Sequence, residues 1–342
     1  MKQLLTLLLL LTTTLTANAA GKYDNPDTIV VARDGTGEFR TITDAIEVCR
    51  AFMDYHKVIF VKCGTYKEKL IIPQWLQNIE ICGEDRDHTV ITYDDHANIK
   101  MDGNYWPSVV KEQLIAMGTD NRPNLGTFRS FTVRVDANDI TFKNITIENN
   151  AAKLGQAVAV HTQGDRIVFL NCRLLGNQDT VYTGMPRTRI LFKDCYIEGT
   201  TDFIFGPSTA WFEHCAIHGK INSYITAAST PEDVAYGYVF NDCTVTVDPA
   251  VTKLYLGRPW RDFGYTLFMN CVLPAQIAPE GWHHWQKERE QTARYLEYAN
   301  HGPGADRSQR VSWSRELTRK EAAQLTPQNV FKRNDSWVPT IR

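Results

Sequence analysis

From residue 140 onward the chain repeats itself. Ile140-Thr-Phe-Lys-Asn-Ile145 is echoed by Ile167-Val-Phe-Leu-Asn-Cys172, Ile190-Leu-Phe-Lys-Asp-Cys195, Ala210-Trp-Phe-Glu-His-Cys215, Tyr238-Val-Phe-Asn-Asp-Cys243 and Thr266-Leu-Phe-Met-Asn-Cys271. Successive units start 27, 23, 20, 28 and 28 residues apart, and every unit has Phe at its third place. Self-similarity at such a period marks a solenoid, in which each unit buries its apolar face only against its neighbours. The units are short, alternating and rich in β-branched and aromatic residues, so each is a strand rather than a helix. A leucine-rich repeat would need a leucine ladder that is absent. The expected fold is all-β, a right-handed parallel β-helix with equivalent residues stacked ~4.8 Å apart on successive rungs.

In that fold Cys172, Cys195, Cys215, Cys243 and Cys271 form an internal ladder of small, polarizable side chains. One thiol per rung cannot converge tetrahedrally on zinc, so no metal site is expected from them. Their spacing leaves open one disulfide between neighbours.

The N-terminal part is less regular. Extended segments at Thr28–Ala32 and Val58–Val61 flank an amphipathic helix, with Thr43 as N-cap and Ala45, Ile46, Cys49, Phe52 and Met53 on one face. A turn at Gly64–Glu68 and a strand at Leu70–Ile72 follow. The helix is expected to cap the coil. After Cys271 the pattern stops; residues 275–342 read as a polar, partly helical tail packed on the outside of the coil, with a capping box at Thr318-Arg-Lys-Glu321.

Lys2, the apolar run Leu4–Leu15 and Ala17-Asn-Ala19 read as a secretory leader cut after Ala19. The run is too short to span a bilayer, and no later stretch approaches the ~20 apolar residues that spanning needs. The expected product is a single exported domain over residues 20–342, without a membrane anchor and monomeric, in a periplasm or outside the cell. With 37 basic and 39 acidic residues and a net charge of −2, the chain gives no reason to expect a nucleic-acid partner.

One stretch concentrates polar residues at the rung period. Gln156 and Gln178 are 22 residues apart, Asp179 and Asp202 23. On a coil of that period the four side chains stack. Two carboxyl groups one rung apart cannot both ionise cheaply unless a cation compensates one of them, and Arg258 in Leu256-Gly-Arg-Pro-Trp260 is available. A paired carboxylate beside a protonated one supplies a nucleophile or base and a general acid. The glutamine amides can donate to a developing oxyanion. These parts suit acyl transfer or ester hydrolysis without Ser, Cys, metal or cofactor. Read alone, the same aspartates also suit coil turns, where Asp bonds locally.

Gly64-Thr-Tyr-Lys-Glu68, Gln156-Ala-Val-Ala159, Gly176-Asn-Gln-Asp-Thr-Val-Tyr182, Gly199-Thr-Thr-Asp-Phe-Ile-Phe-Gly206 and Leu256-Gly-Arg-Pro-Trp260, in that order and spacing, resemble the pectin methylesterase family. Glu297-Tyr-Ala-Asn-His-Gly-Pro-Gly304 and Asn329-Val-Phe331 extend the likeness into the tail. The resemblance implies hydrolysis of galacturonate methyl esters in pectin, on a methylated homogalacturonan substrate. It implies Asp202 as nucleophile held ionised by Arg258, Asp179 as acid and then base, and Gln156 and Gln178 as oxyanion hole. It implies that Trp260, Phe205, Tyr182 and Thr127 line the sugar cleft. Thr201 stands where the family usually has Val, and Asn177 where an aromatic residue is common; both are expected at the cleft. His283-His284 and Asp94-Asp95 fall outside the motifs and read as surface or packing residues. The rival readings are another β-helix enzyme, a pectate lyase or polygalacturonase, or a non-catalytic pectin-binding solenoid.

Overall fold

The computed structural model describes residues 21–101, 124–286, 288–335 and 337–339; the expected leader lies outside them. Among the described residues the strands form three parallel sheets of eleven, seven and seven strands. Each sheet takes one strand per turn, so the chain is a parallel β-helix.

The repeats lie in the eleven-stranded sheet, in the expected register. Ile140 pairs with Ile167, Ile167 with Ile190, Ile190 with Ala210, Ala210 with Tyr238 and Tyr238 with Thr266. Register brings the third-place phenylalanines face to face. Rings of Phe142, Phe169, Phe192, Phe212, Phe240 and Phe268 stack at 5.1, 4.9, 4.6, 4.2 and 4.3 Å, within 9° of parallel. All six are fully buried.

The polar place before each cysteine also has a physical cause. Asn144, Asn171, Asp194, His214, Asp242 and Asn270 have φ values from 48° to 56°. There the chain turns from the first sheet into the third through the left-handed region, which Asn, Asp and His tolerate better than most side chains. The following cysteines turn inward. Each thiol of Cys172, Cys195, Cys215, Cys243 and Cys271 donates to the carbonyl of the ladder phenylalanine one rung back, at 3.4–3.6 Å. All are free thiols, so the open disulfide does not form. Burial pushes the Cys172, Cys215 and Cys271 thiols up, as suits inert core groups.

Three expectations need correction. The helix is only Ile42–Glu47, capped by the Thr41 hydroxyl, because Glu68 engages Thr43: its carboxylate accepts from the Ile42 and Thr43 amides and the Thr43 hydroxyl. Phe52 lies beyond the helix and is 71% exposed. Gly64–Lys67 is a strand paired with Thr89–Tyr93, not a turn. Finally, the coil does not stop at Cys271. Arg294–Tyr298 adds another rung, with Phe268 opposite Glu297, and Arg315–Glu316 follows. Glu297 is buried and bonded by Trp282, Arg307 and Arg310, so an ion cluster takes over where the aromatic stack ends.

The tail does pack outside the coil. Its short helices Arg319–Ala322 and Pro327–Val330 bring Ala322, Leu325, Val330 and Phe331 against Leu191, Trp211, Val239 and Leu267 on the outer face of the long sheet. The expected capping box is present at Thr318 and Glu321.

Candidate active site

The site lies on the sheet formed by Val160–Thr162, Val181–Thr183, Ile204–Gly206, Tyr224–Ala228 and Tyr255–Gly257, among other strands. Gln156 and Gln178 bridge each other on adjacent rungs. Asp179 and Asp202 each stand two residues before the paired Val181 and Ile204, so they too occupy equivalent places one rung apart. Both take left-handed backbone conformations, φ 68° and 49°. Their amides are anchored to the next rung: Asp179 N–H donates to Thr201 O at 3.1 Å and Asp202 N–H to Tyr224 O at 2.9 Å. A regular strand would pair these residues into the sheet; the turn aims both carboxyl groups to one side.

The two carboxyl groups are unlike. Asp202 receives a bidentate ion pair from Arg258, Nε to Oδ1 at 2.9 Å and Nη2 to Oδ2 at 2.6 Å. Burial pushes its pKa up, while the Arg258 bonds and charge pull it back. Among the described residues Asp179 has no such partner. Burial first, and then the Asp202 charge, push it well above the usual carboxylate range, opposed only by the charge of Arg258. The two are 8% and 5% exposed, so water screens them little. Of the pair, Asp179 is the one that holds its proton to higher pH.

A cleft of about 190 Å³ opens over them, lined by Thr127, Phe128, Gln156, Gln178, Asp179, Asp202, Phe205, Ala227, Trp260 and Trp285. Among the described residues no protein group engages the Gln156 or Gln178 side-chain amides, which leaves both free to meet a ligand. Aromatic rings wall the cleft, with Phe205 edge-on to Trp260 at 5.8 Å. Tyr182 sits one layer back, stacked on Phe205 at 4.6 Å and against Phe128 at 4.7 Å. Sheet register brings Tyr182 and Phe205 together. No group of three or more His, Cys, Asp or Glu side chains among the described residues could hold a metal ion.

Thr201 and Asn177 are placed differently from expectation. The Thr201 hydroxyl pairs with Ser223 Oγ at 2.8 Å, and its carbonyl anchors Asp179 instead of lining the cleft. Asn177 turns to the Ala151 carbonyl at 3.0 Å. Asp94 and Asp95 pair with Lys67 and Lys69, as surface and packing roles require.

Sequence reasoning missed Phe128, Trp285 and Tyr224. Phe128, 43% exposed, is the immediate neighbour of Thr127, and that adjacency was the one signal that could have found it. Trp285 reaches the cleft through a turn with φ 60°, which no repeat or spacing signals. Tyr224 covers Arg258, as described below.

The pectinesterase family model matches residues 28–110 and 109–334, most of the chain. The chain belongs to the pectinesterase family. "Pectinesterase 31" of Arabidopsis thaliana is 39% identical over 295 residues, covering 85% of this chain and 88% of the relative. Another Arabidopsis relative, "Probable pectinesterase/pectinesterase inhibitor 23", is 34% identical, and this chain spans only 53% of its length. Among solved structures, pectin methylesterase from carrot superposes with a TM-score of 0.78 at 29% identity, covering 90% of this chain and 93% of that one. An aspartate-to-alanine variant of a pectin methylesterase, in complex with a hexasaccharide, gives 0.74 at 28% identity over 92% and 98%. The pectinesterase coil is thus the right-handed parallel β-helix read from the repeats.

Proposed function

We propose that this pectinesterase hydrolyses galacturonate methyl esters of pectin through Asp202, Asp179, Gln156, Gln178 and Arg258. The observation that carries the assignment is the inequality of the carboxyl pair: one is fixed in a bidentate ion pair, the other is buried without one. A ground-state nucleophile must be ionised and a leaving-group acid protonated, and this pair supplies one of each.

The ionised Asp202 carboxylate attacks the ester carbonyl carbon. Negative charge moves to the carbonyl oxygen, where the Gln156 and Gln178 amides donate to it. As the intermediate collapses, the C–O bond to the methoxy group breaks and Asp179 protonates the oxygen, releasing methanol. The resulting Asp179 carboxylate takes a proton from water while that water attacks the acyl-enzyme carbonyl. Collapse frees the galacturonic acid, regenerates the Asp202 carboxylate and leaves Asp179 protonated again. Arg258 keeps Asp202 a competent nucleophile and leaving group throughout.

The aromatic walls at Phe205, Trp260, Phe128 and Trp285 suit the apolar faces of sugar rings, with Tyr182 supporting them from behind and Thr127 offering a polar contact. The solved pectin methylesterase complexes with hexasaccharides support a polysaccharide substrate. Among the described residues no helix is long and apolar enough to cross a membrane. An exported, monomeric enzyme acting on a wall polymer is the reading that fits the leader and the substrate together.

Methanol release from methylated pectin, with chelator present, tests the reaction. Unsaturated or new reducing ends without methanol would instead identify a lyase or a polygalacturonase. Asp202→Asn tests the roles: turnover should fall on the order of 10⁴-fold or more, as for other nucleophile replacements, while pectin still binds. Near-normal turnover in that variant would overturn the assignment.

A further inference from the structure

Arg258 is held by more than its carboxylate. Its guanidinium carbon lies 3.9 Å from the ring centroid of Tyr224 and 3.9 Å from that of Trp285. The Tyr224 ring is itself stacked on Tyr255 at 5.3 Å, and His283 meets both edge-on at 5.5 and 5.8 Å. On the other element, the Trp285 amide donates to His283 Nδ1 at 3.1 Å, which fixes the turn that presents the indole. Tyr224 is tied to the nucleophile a second time, because its carbonyl accepts from the Asp202 amide.

We propose that Tyr224 and Trp285 are positioning residues that clamp the Arg258 guanidinium between two rings and so hold it in bidentate register with Asp202. The guanidinium is planar, with its donors in the plane and its weakly hydrated faces above and below. Rings over those faces exclude water without competing for the N–H groups. They strengthen the cation's interaction with Asp202 by lowering the local dielectric, and they stop the long side chain from swinging away. An arginine paired only by its carboxylate would lack both effects.

The groups that face this pair are few. Asp202 is faced by Asp179, Arg258 and Tyr295 from the strand Arg294–Tyr298. Arg258 is faced by Tyr224, Trp285 and His283, and Arg289 lies over the Trp285 ring at 5.8 Å. Burial, with His284 and Arg258 nearby, lowers the His283 pKa, so its Nδ1 stays an acceptor for Trp285 further into the acid range.

Loosening the clamp weakens the Arg258 pairing that favours ionised Asp202, so its carboxyl should hold its proton to higher pH. The acid limb of kcat/KM should then move upward in Tyr224→Leu, with roughly tenfold less activity on that limb and a much smaller loss on the plateau, the size expected for one desolvated cation–π contact. Tyr224→Phe keeps the ring and should restore the wild-type limb. Trp285→Leu should move the limb as well, and raise KM because the indole also lines the cleft.

The inference rests on Asp202 as nucleophile, so a second readout is needed that does not. Carboxyl NMR titration of Asp202 in the folded Tyr224→Leu protein should show the same upward shift whether or not Asp202 attacks the ester. A shifted titration with an unmoved kinetic limb upholds the clamp and sinks the nucleophile assignment. An unmoved titration in Tyr224→Leu, or an equal shift in Tyr224→Phe, overturns the clamp.

Discussion

At the scale of single residues, the site depends on giving two identical side chains different environments. Asp179 and Asp202 share a left-handed backbone conformation and a place in the rung, and differ in that Arg258 bonds directly to Asp202. This has a consequence for stability as well as for rate. Asp179, with its pKa raised by burial, binds its proton more tightly folded than unfolded. Its stabilising share is complete at low pH, below an unfolded value of about 3.9, and is lost as pH rises through the raised folded value. Asp179→Asn carries no charge at any pH, so its Tm should gain on the wild type as pH goes from acid to neutral. Two curves that stay parallel over that range would show that folding leaves the Asp179 pKa unshifted.

At the scale of elements, the recurring unit is a strand that ends in a fixed turn. Its phenylalanine feeds an unbroken stack, its Asn, Asp or His turns the corner, and its cysteine bonds back to the preceding rung. Phe192 lies in mid-stack between Phe169 and Phe212, at 4.9 and 4.6 Å. Phe192→Ala should cost about 3–5 kcal/mol, since neighbouring rungs held by sheet hydrogen bonds cannot collapse into the space. Denaturant unfolding would measure it, and a loss below about 1 kcal/mol would mean the rungs do close up. These strands were legible because a solenoid writes the same environment into the sequence again and again. The first helix was misjudged for the opposite reason. Glu68 comes from the link between the strands Gly64–Lys67 and Leu70–Ile72 to occupy Thr43, and that contact leaves no local trace around residue 43.

At the scale of the whole molecule, the coil must end without exposing its core. It does so by replacing the last aromatic place with Glu297, 1% exposed and bonded to Trp282, Arg307 and Arg310. Arg189, equally buried, joins Asp165 on the coil to Asp335 in the tail at 2.6 Å each. Removing one partner of a buried ion pair leaves the other uncompensated, so Glu297→Ala should lose about 3–5 kcal/mol of stability. The tail should then be cut by protease before the coil is. Uniform resistance of both parts would show that the cluster does not close the end. Because the strands Arg294–Tyr298 and Arg315–Glu316 lack the Phe and Cys of the repeats, the sequence pattern placed the end of the coil too early.

The sequence by itself determined the fold and the four stacked polar residues, because both follow from one period that is visible in the order of residues. It also named the cation, although spacing could not say which carboxylate Arg258 would meet. The family resemblance supplied that pairing with Asp202; only the tertiary structure decided the further cleft walls, Phe128 and Trp285, and the two rings over the guanidinium. Tyr224 and Trp285 lie 61 positions apart, on different elements and in no repeat. Their meeting around Arg258 is set by how the coil and the turn at Trp285 pack, and an irregular contact of that kind has no period to read.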